Sequence, residues 1–413
     1  MTSLATPTSN IRHAFNRLPS PAINLRASIR VKPYTPLSQS HSREEVLTKV
    51  TYSTVAARPS VRTADLRQAC SHPGDRGHIC SRHTQSGSMA AIIQPRYINR
   101  VSRETYATEA TPSTSTAIVQ PSIHPVFQDQ TGTWQYVVAD PRTKKAVIID
   151  AVLDYDPSTQ TASTSSADAL LALVRDQGYE IDMILETHVH ADHPTAAAYL
   201  RAKLSQEPGS SPSIGIGKRI NHVQELFAQR YGVPATEYEG VFDKLFDDDE
   251  TFDIGSMSAQ AIHLPGHTPD HLGYKIGDNV FCGDSLFHAD VGTARCDFPG
   301  GSAHDLFKST RKLLSMADEV KIWTGHDYPP EGRAIPQPYM TVREHRALNK
   351  HLKDDISEDD FVTLRRERDA QLGEPRLLHQ SLQVNIRAGR LPGPTPFGQR
   401  LLHLPLKLKV KEW

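Results

Sequence analysis

A short segment of the sequence carries four side chains that can bind a metal ion. Thr187 to His193 reads THVHADH, so that His188, His190, Asp192 and His193 lie within seven residues. Imidazole nitrogen and carboxylate oxygen suit zinc, iron or manganese, and the segment has no cysteine that could supply thiolate to a structural zinc site. The pattern predicts a metal centre rather than a solvated polar loop.

The neighbouring sequence predicts how this segment is held. Residues 181–186 (IDMILE) form an apolar run of strand length, and Pro194 is followed by TAAAYLRAKL, which is typical of a helix with proline in its first turn. The segment is therefore expected on a strand-to-helix loop. Its first two histidines would lie on extended backbone and Asp192 at the start of the helix.

Three further motifs place a metal ligand after an apolar run. They are LPGHT with His267, FCGDS with Asp284 and TGH with His326. Each motif alone is usually a turn, and isolated matches of this kind carry little weight. Their order after THVHADH, each at the end of an apolar run, makes the combined pattern specific.

The rest of the ordered sequence alternates between strand and helix patterns, which predicts an α/β domain. A hairpin is predicted from strands at 135–139 and 146–149, and a helix over 168–177 should stop at Gly178. Further expectations are a polar loop at 159–167, an amphipathic helix with Ile220, Val223, Leu226 and Phe227 in register, short strands from 252 to 281, a helix from Ser302, a last strand at 321–324, and helices at 341–352 and 357–372.

Composition excludes several classes of partner. The 413 residues carry a formal net charge of −1, so nothing favours binding to nucleic acid or to an anionic membrane. The sequence has no apolar run as long as the roughly 18–20 residues that span a bilayer. The four cysteines (Cys70, Cys80, Cys282 and Cys296) do not form a disulfide framework, and the last two are expected to be packing residues in a reducing compartment.

The N-terminal region has the composition of a targeting segment. Residues 1–43 contain six basic residues and no acidic one, which favours a transit peptide and a mitochondrial matrix location over a generic tail. A second basic stretch begins at Met89, which is an alternative start. We expect disorder over 1–118, a catalytic domain over 119–390 and a tail over 391–413.

The ligand motifs resemble those of the metallo-β-lactamase superfamily. That resemblance covers roughly residues 120–390 and implies an αββα sandwich with a short C-terminal helical extension. Within the superfamily, GTARCDFPGG at 292–301 and GHDY at 325–328 are similar to the persulfide dioxygenase branch. The branch implies one Fe(II) per chain, held by His188, His267 and Asp284, with positions left open for a persulfide sulfur and for dioxygen.

The resemblance also implies a reaction and roles for other residues. Glutathione persulfide, dioxygen and water would give sulfite and glutathione, and a homodimer is left open. Arg295 would contact the substrate or hold the shape of the site, the alternative being a structural salt bridge. Tyr328 would donate a hydrogen bond at the open face of the iron, and Asp327 would orient a ligand.

Two other functions compete with the dioxygenase. His190, Asp192, His193 and His326 are all present and could form a second metal position, as in a binuclear zinc hydrolase of glutathione thioesters of the glyoxalase II kind with two Zn(II) per chain. The binuclear zinc hydrolase is disfavoured because the sequence after His326 is short. A metal-bound scaffold or sulfur-carrier partner is disfavoured because every ligand position is filled.

Overall fold

The computed structural model describes residues 119–410. Its strands are β1 (Ser122–Gln128), β2 (Thr133–Ala139), β3 (Lys145–Ile149), β4 (Asp154–Asp156), β5 (Thr161–Ser163), β6 (Glu180–Leu185), β7 (Ser213–Gly217), β8 (Lys244–Phe246), β9 (Thr251–Ile254), β10 (Met257–His263), β11 (Leu272–Ile276), β12 (Asn279–Phe281), β13 (Lys321–Trp323) and β14 (Tyr339–Thr341). Its helices are α1 (Ser165–Gln177), α2 (Ala197–Leu204), α3 (Ile220–Tyr231), α4 (Ala235–Tyr238), α5 (Ala303–Leu314), α6 (Val342–Leu348), α7 (Glu358–Asp369) and α8 (Leu378–Asn385).

These strands form two large sheets and one small one. The first six-stranded sheet has the order β1-β2-β3-β6-β7-β8, with its first three strands antiparallel and the rest parallel. The second has the order β14-β13-β12-β11-β10-β9, in which only the β12-β13 pair is parallel. A short β4-β5 hairpin stands apart from both.

Strand β2 shows how the two sheets pack. Successive side chains of a strand point to opposite faces. Tyr136 and Val138 pack with Tyr274 of the second sheet, whereas Val137 packs with Leu170 of α1 on the other face. Because both faces are buried, the strand reads as a continuous apolar run and not as an alternating one.

The outer face of the second sheet is covered in the same way. Val280 and Ile322 from its central strands share a cluster with Leu306 and Leu313 of α5 and Phe361 of α7. Helices therefore cover both outer faces of two packed sheets. The predicted αββα sandwich is confirmed.

All four ligand motifs follow the carboxyl ends of strands. THVHADH follows β6, His267 follows β10, Asp284 follows β12 and His326 follows β13. Loops at strand ends are where folds of this kind place their binding residues.

Several boundaries differ from the sequence-based expectation. Helix α2 begins at Ala197, after Pro194, because Thr195 is held outside the helix by Glu186 and Asn385. The expected polar loop at 159–167 contains strand β5 and the first turn of α1. Leu226, expected on the buried face of α3, is 40% exposed.

The C-terminal part holds elements that the sequence pattern did not indicate. Strand β14 follows β13, so 321–324 is not the last strand. Helices α6 and α7 are shorter than expected, and α8 was missed entirely. The segment after α8 is tied back by two hydrogen bonds of 2.9 Å between the Gln383 side chain and the His403 backbone.

The expectations for residues 1–118, including disorder, targeting and a start at Met89, lie outside the described residues. Among residues 119–410, no helix has both the length and the apolar character that crossing a membrane requires.

Candidate metal centre

His188 lies at the end of β6 on a loop held by two buried carboxylates. Asp150 accepts hydrogen bonds of 2.8 Å from the Thr187 backbone N–H and from its hydroxyl, and Asp270 accepts one of 2.9 Å from the Val189 N–H. The Thr187 oxygen also lies 3.0 Å from Nδ1 of His188. Since that hydroxyl donates to Asp150, it accepts from Nδ1–H and leaves Nε2 of His188 with a free lone pair.

His267 follows β10 through a glycine that no other residue could replace. Gly266 has φ +141°, and a Cβ there would lie 2.3 Å from the backbone of Leu306. The Nδ1–H of His267 donates to the carbonyl oxygen of Arg295 at 2.7 Å. Its Nε2 then carries the lone pair and lies 3.6 Å from Oδ2 of Asp284.

Asp284 follows β12 and is positioned through its own backbone. Its N–H donates to Nε2 of His271 at 2.9 Å, and the His271 ring stacks on His188 with 4.8 Å between centroids. The Oδ1 atom of Asp284 is buried and has no hydrogen-bond partner among the described residues. Burial raises the pKa of Asp284 above its ordinary value.

The three residues converge on one point. One ligand atom from each of His188, His267 and Asp284 lies within 4.8 Å of the other two. Nε2 of His188 is also buried without a partner among the described residues, and burial and the neighbouring imidazoles hold its pKa well below the usual value. Two neutral imidazole lone pairs and one carboxylate oxygen form a set of donors suited to iron or zinc.

His190 belongs to two further groups of potential ligands, one with Asp192 and His193, beside which its Nδ1 is buried without a partner among the described residues, and one with Asp150 and Glu186. Its Nε2 lies 3.2 Å from both Oδ1 of Asp150 and Oε2 of Glu186, and all three side chains are buried. Burial alone would lower the pKa of His190, but the two carboxylates raise it well above the usual value. His190 therefore compensates buried negative charge in this arrangement.

The other three motif residues gather on the opposite side of Asp284. Nε2 of His326 lies 3.2 Å from Asp192 and 3.5 Å from Asp284, and His193 has a buried Nε2 without a partner among the described residues. Burial lowers the pKa of His193 to about 3. These residues could hold a second ion beside the first.

Arg295 and Asp327 are both engaged by the protein itself. The guanidinium of Arg295 pairs with Asp297 and donates to the carbonyl oxygen of Gly373 at 2.9 Å. The carboxylate of Asp327 accepts from Arg333 and from the N–H of Gln337, at 2.7 Å for the latter. Among the described residues, neither side chain contacts one of the three converging ligands.

Tyr328 lies beside the site. Its ring stacks on that of His326, with 5.6 Å between centroids and 9° between planes, and meets the ring of Phe287 edge-on. Tyr328 lines a cavity of about 420 Å³ together with His267 and Asp284. A cavity of this size fits a small organic molecule.

Several residues of the site were not singled out from the sequence. They are Asp150, Glu186, Asp270, His271, Asn385, Arg365, Arg368 and Arg376. Asn385 of α8 donates to the carbonyl oxygens of His190 and His193 at 2.8 Å. A single asparagine on a helix that also buries Ser381 and Gln383 gives no sequence signal for that contact.

The two cysteines of the described region are buried and free, as expected for packing residues. Burial raises the pKa of both Cys282 and Cys296 to about 12. Neither thiol is therefore poised to act as a nucleophile.

The family model described as metallo-beta-lactamase superfamily matches residues 129–326. Glyoxylase B2 of Dictyostelium discoideum is 44% identical over 287 residues, which are 69% of this chain and 96% of that protein. The mitochondrial persulfide dioxygenase ETHE1 of Homo sapiens is 27% identical over 267 residues, which are 64% of this chain and 87% of that protein.

Among solved structures, ETHE1 from Myxococcus xanthus matches with a TM-score of 0.51 and 26% identity. The match covers 65% of this chain and 100% of that one. The names of the relatives thus point to two different activities on one fold.

Proposed function

We propose that the chain, which belongs to the metallo-β-lactamase superfamily, is an iron-dependent persulfide dioxygenase acting on glutathione persulfide. The observation that carries this proposal is the convergence of His188, His267 and Asp284 within 4.8 Å. Two histidines and one carboxylate are the ligands that non-haem Fe(II) oxygenases use.

The residues fit a metal ion by their own bonding. Nε2 of His188 is a buried polar atom without a partner among the described residues, and such an atom is costly unless a ligand satisfies it. The other ring nitrogen of His267 is already committed to a carbonyl oxygen, which fixes the ring and its tautomer.

The proposed reaction converts one persulfide, one dioxygen and one water into sulfite, glutathione and two protons. His188, His267 and Asp284 would hold the Fe(II), which would supply the chemistry that binds the persulfide sulfur and activates dioxygen. The protein itself supplies the side chains that line the cavity around the reacting sulfur. Phe287 and Tyr328 form an aromatic wall of the cavity, and the Tyr328 hydroxyl is the hydrogen-bond donor on that wall.

Relatives support this proposal unequally. The human persulfide dioxygenase and the Myxococcus xanthus ETHE1 structure share about a quarter of their residues with this chain, whereas the relative named a glyoxylase shares more. A binuclear zinc hydrolase of glutathione thioesters is therefore the second candidate. The specific observation that favours it is the second group of potential ligands, His190, Asp192 and His193, with His326 lying between Asp192 and Asp284.

Oxygen uptake and metal content, measured on the same purified sample, separate the two functions. We expect persulfide-dependent oxygen consumption with about one iron per chain, lost in His267→Ala. His304→Ala is the matched control, because that histidine is exposed and pairs with Glu358. About two zinc ions per chain, hydrolysis of S-lactoylglutathione and no oxygen uptake would instead establish the hydrolase.

We also propose that the protein acts in the mitochondrial matrix. This rests on the basic, acid-free composition of residues 1–43. A fluorescent fusion of residues 1–118 should reach mitochondria, and a fusion that begins at Met89 tests the alternative start. Cytosolic fluorescence from both fusions would contradict the proposal.

A further inference from the structure

The cavity at the candidate metal centre is lined by more basic than acidic side chains. Four arginines line it, namely Arg295, Arg365, Arg368 and Arg376, together with two carboxylates, Asp192 and Asp284. Both carboxylates belong to the group of potential metal ligands, so a bound divalent ion would make the cavity more positive still. Such a field favours an anionic ligand.

Two of the four arginines are already engaged. Arg295 pairs with Asp297 and with the carbonyl oxygen of Gly373. Arg365 is buried and pairs with Asp369, which in turn accepts from the N–H of Cys296 at 2.9 Å. These two side chains build the cavity wall and use most of their donors in doing so, although Nε of Arg365 is buried without a partner among the described residues.

The other two arginines differ in this respect. Within residues 119–410, the guanidinium groups of Arg368 and Arg376 have no hydrogen bond and no ion pair, and both side chains are exposed at the cavity. Arg368 lies near the end of α7, and Arg376 lies in the segment between α7 and α8. Their donors are therefore free to meet a ligand that also reaches His267 and Asp284.

We propose that Arg368 and Arg376 form an anion clamp that binds the carboxylates of the molecule carrying the reacting sulfur. This inference rests on the proposed function for the identity of the reacting group, but the clamp itself requires only a thiol carrier with carboxylates distant from its sulfur. A guanidinium binds a carboxylate through two parallel hydrogen bonds, which selects for a planar acidic group. Glutathione, with two carboxylates, belongs to this class.

The proposal gives substrate recognition to residues other than Arg295. Arg295 lies in the motif that resembles the persulfide dioxygenase branch, but its donors are satisfied by Asp297 and Gly373. Because Arg368 and Arg376 are exposed, their attraction to an anion should weaken as salt is added.

The test compares Arg368→Gln, Arg376→Gln and the double variant with Arg366→Gln. Arg366 is also exposed on α7 but does not line the cavity, which makes it the matched control. Binding of glutathione is measured by calorimetry without turnover. The KM for oxygen uptake is then measured with the persulfides of glutathione, of glutathione diethyl ester and of coenzyme A, which carries phosphates.

We expect the double variant to raise the Kd of glutathione and the KM of its persulfide by roughly tenfold or more, with the effect on KM rather than on kcat. The diester persulfide should already bind weakly to the unmodified enzyme and should not respond to the substitutions. A strong preference for the coenzyme A persulfide would overturn the assignment to carboxylates. Equal effects of Arg366→Gln and Arg368→Gln would overturn the clamp.

The two proposals can fail separately. If oxygen uptake is absent but glutathione binding still depends on Arg368 and Arg376, the clamp stands and the dioxygenase proposal fails. If oxygen uptake is present with the same KM for the acid and the diester, the dioxygenase stands and the clamp is wrong.

Discussion

Nδ1 of His267 lies 2.7 Å from the carbonyl oxygen of Arg295, so the arginine touches the metal centre through its backbone. The side chain of Arg295 holds that backbone in place by pairing with Asp297 and with Gly373. A chain of contacts therefore runs from the segment after α7 to the ring of a candidate metal ligand. Hydrogen bonds of this kind orient the ligand and tune its affinity for the metal.

Arg295→Gln should therefore weaken metal binding more than substrate binding. We expect a loss of about tenfold in metal affinity, because the carbonyl that orients His267 becomes mobile. The free energy of unfolding should fall by only about 1 kcal/mol, since the ion pair is partly exposed. Competition with a chelator measures the first quantity and urea unfolding the second.

Arg311→Gln is the matched control for this substitution. Arg311 also donates to backbone carbonyl groups, those of Leu352, Lys353 and Ile356, but it lies away from the site. Arg311→Gln should lower the free energy of unfolding without lowering the metal affinity. If Arg295→Gln instead raises the KM and leaves metal affinity intact, the arginine contacts the substrate directly.

The convergence of the motifs was predictable because each one pairs potential ligand chemistry with a strand end. His188, His267 and Asp284 each follow an apolar run, and the sandwich brings these ends together. The partners of His190 were not predictable. Asp150 and Glu186 look like ordinary strand-terminal acids, and only the packing of β3 beside β6 places them against one imidazole.

The arginines that line the cavity were not predicted from the sequence for a different reason. Arg365, Arg368 and Arg376 lie on and after a highly charged helix, where arginine usually means a solvated face. Helix α8 was missed because its buried side chains include Ser381, Gln383 and Asn385, which weaken the apolar period. Their burial becomes understandable only once their partners in other elements are known.

His190→Gln should destabilise the fold without abolishing metal binding. The substitution leaves Asp150 and Glu186 buried with less compensation, and breaking such a pair costs about 3–5 kcal/mol. Urea unfolding should show this loss, while the folded fraction should still bind about one iron per chain. The double variant with Glu186→Gln should recover part of the stability, because it removes one of the two charges. Loss of iron from folded His190→Gln would show that this histidine is a ligand.

His271→Ala should lower metal affinity by removing the acceptor for the Asp284 N–H. An unsatisfied buried N–H costs about 1–3 kcal/mol, and relaxation of the loop would move the carboxylate. His271→Gln is the conservative variant, since its amide oxygen can accept the same hydrogen bond. Chelator competition should rank the affinities as unmodified protein, then Gln, then Ala. Equal affinities for all three proteins would mean that His271 does not position Asp284.

The free energy of unfolding should also depend on pH through His351, which positions Thr293 in the wall of the cavity. Nδ1 of His351 accepts a hydrogen bond of 3.1 Å from the backbone N–H of Thr293, two residues before Arg295. Protonation of that nitrogen would abolish the bond, and burial together with nearby cationic side chains lowers the pKa of His351 from 6.5 to about 3. The unfolded chain takes up this proton near pH 6.5, and the folded chain does not until about pH 3.

Between these values the unfolded state binds more protons, so stability falls as the pH falls. The contribution of His351 should be close to about 1.4 kcal/mol per pH unit between pH 6 and 4. Urea unfolding at several pH values should give a shallower slope for His351→Gln, which keeps an acceptor for Thr293 but does not titrate. His304→Gln removes an exposed imidazole and controls for the loss of a histidine as such. Equal slopes for His351→Gln and the unmodified protein would show that His351 does not couple folding to protons.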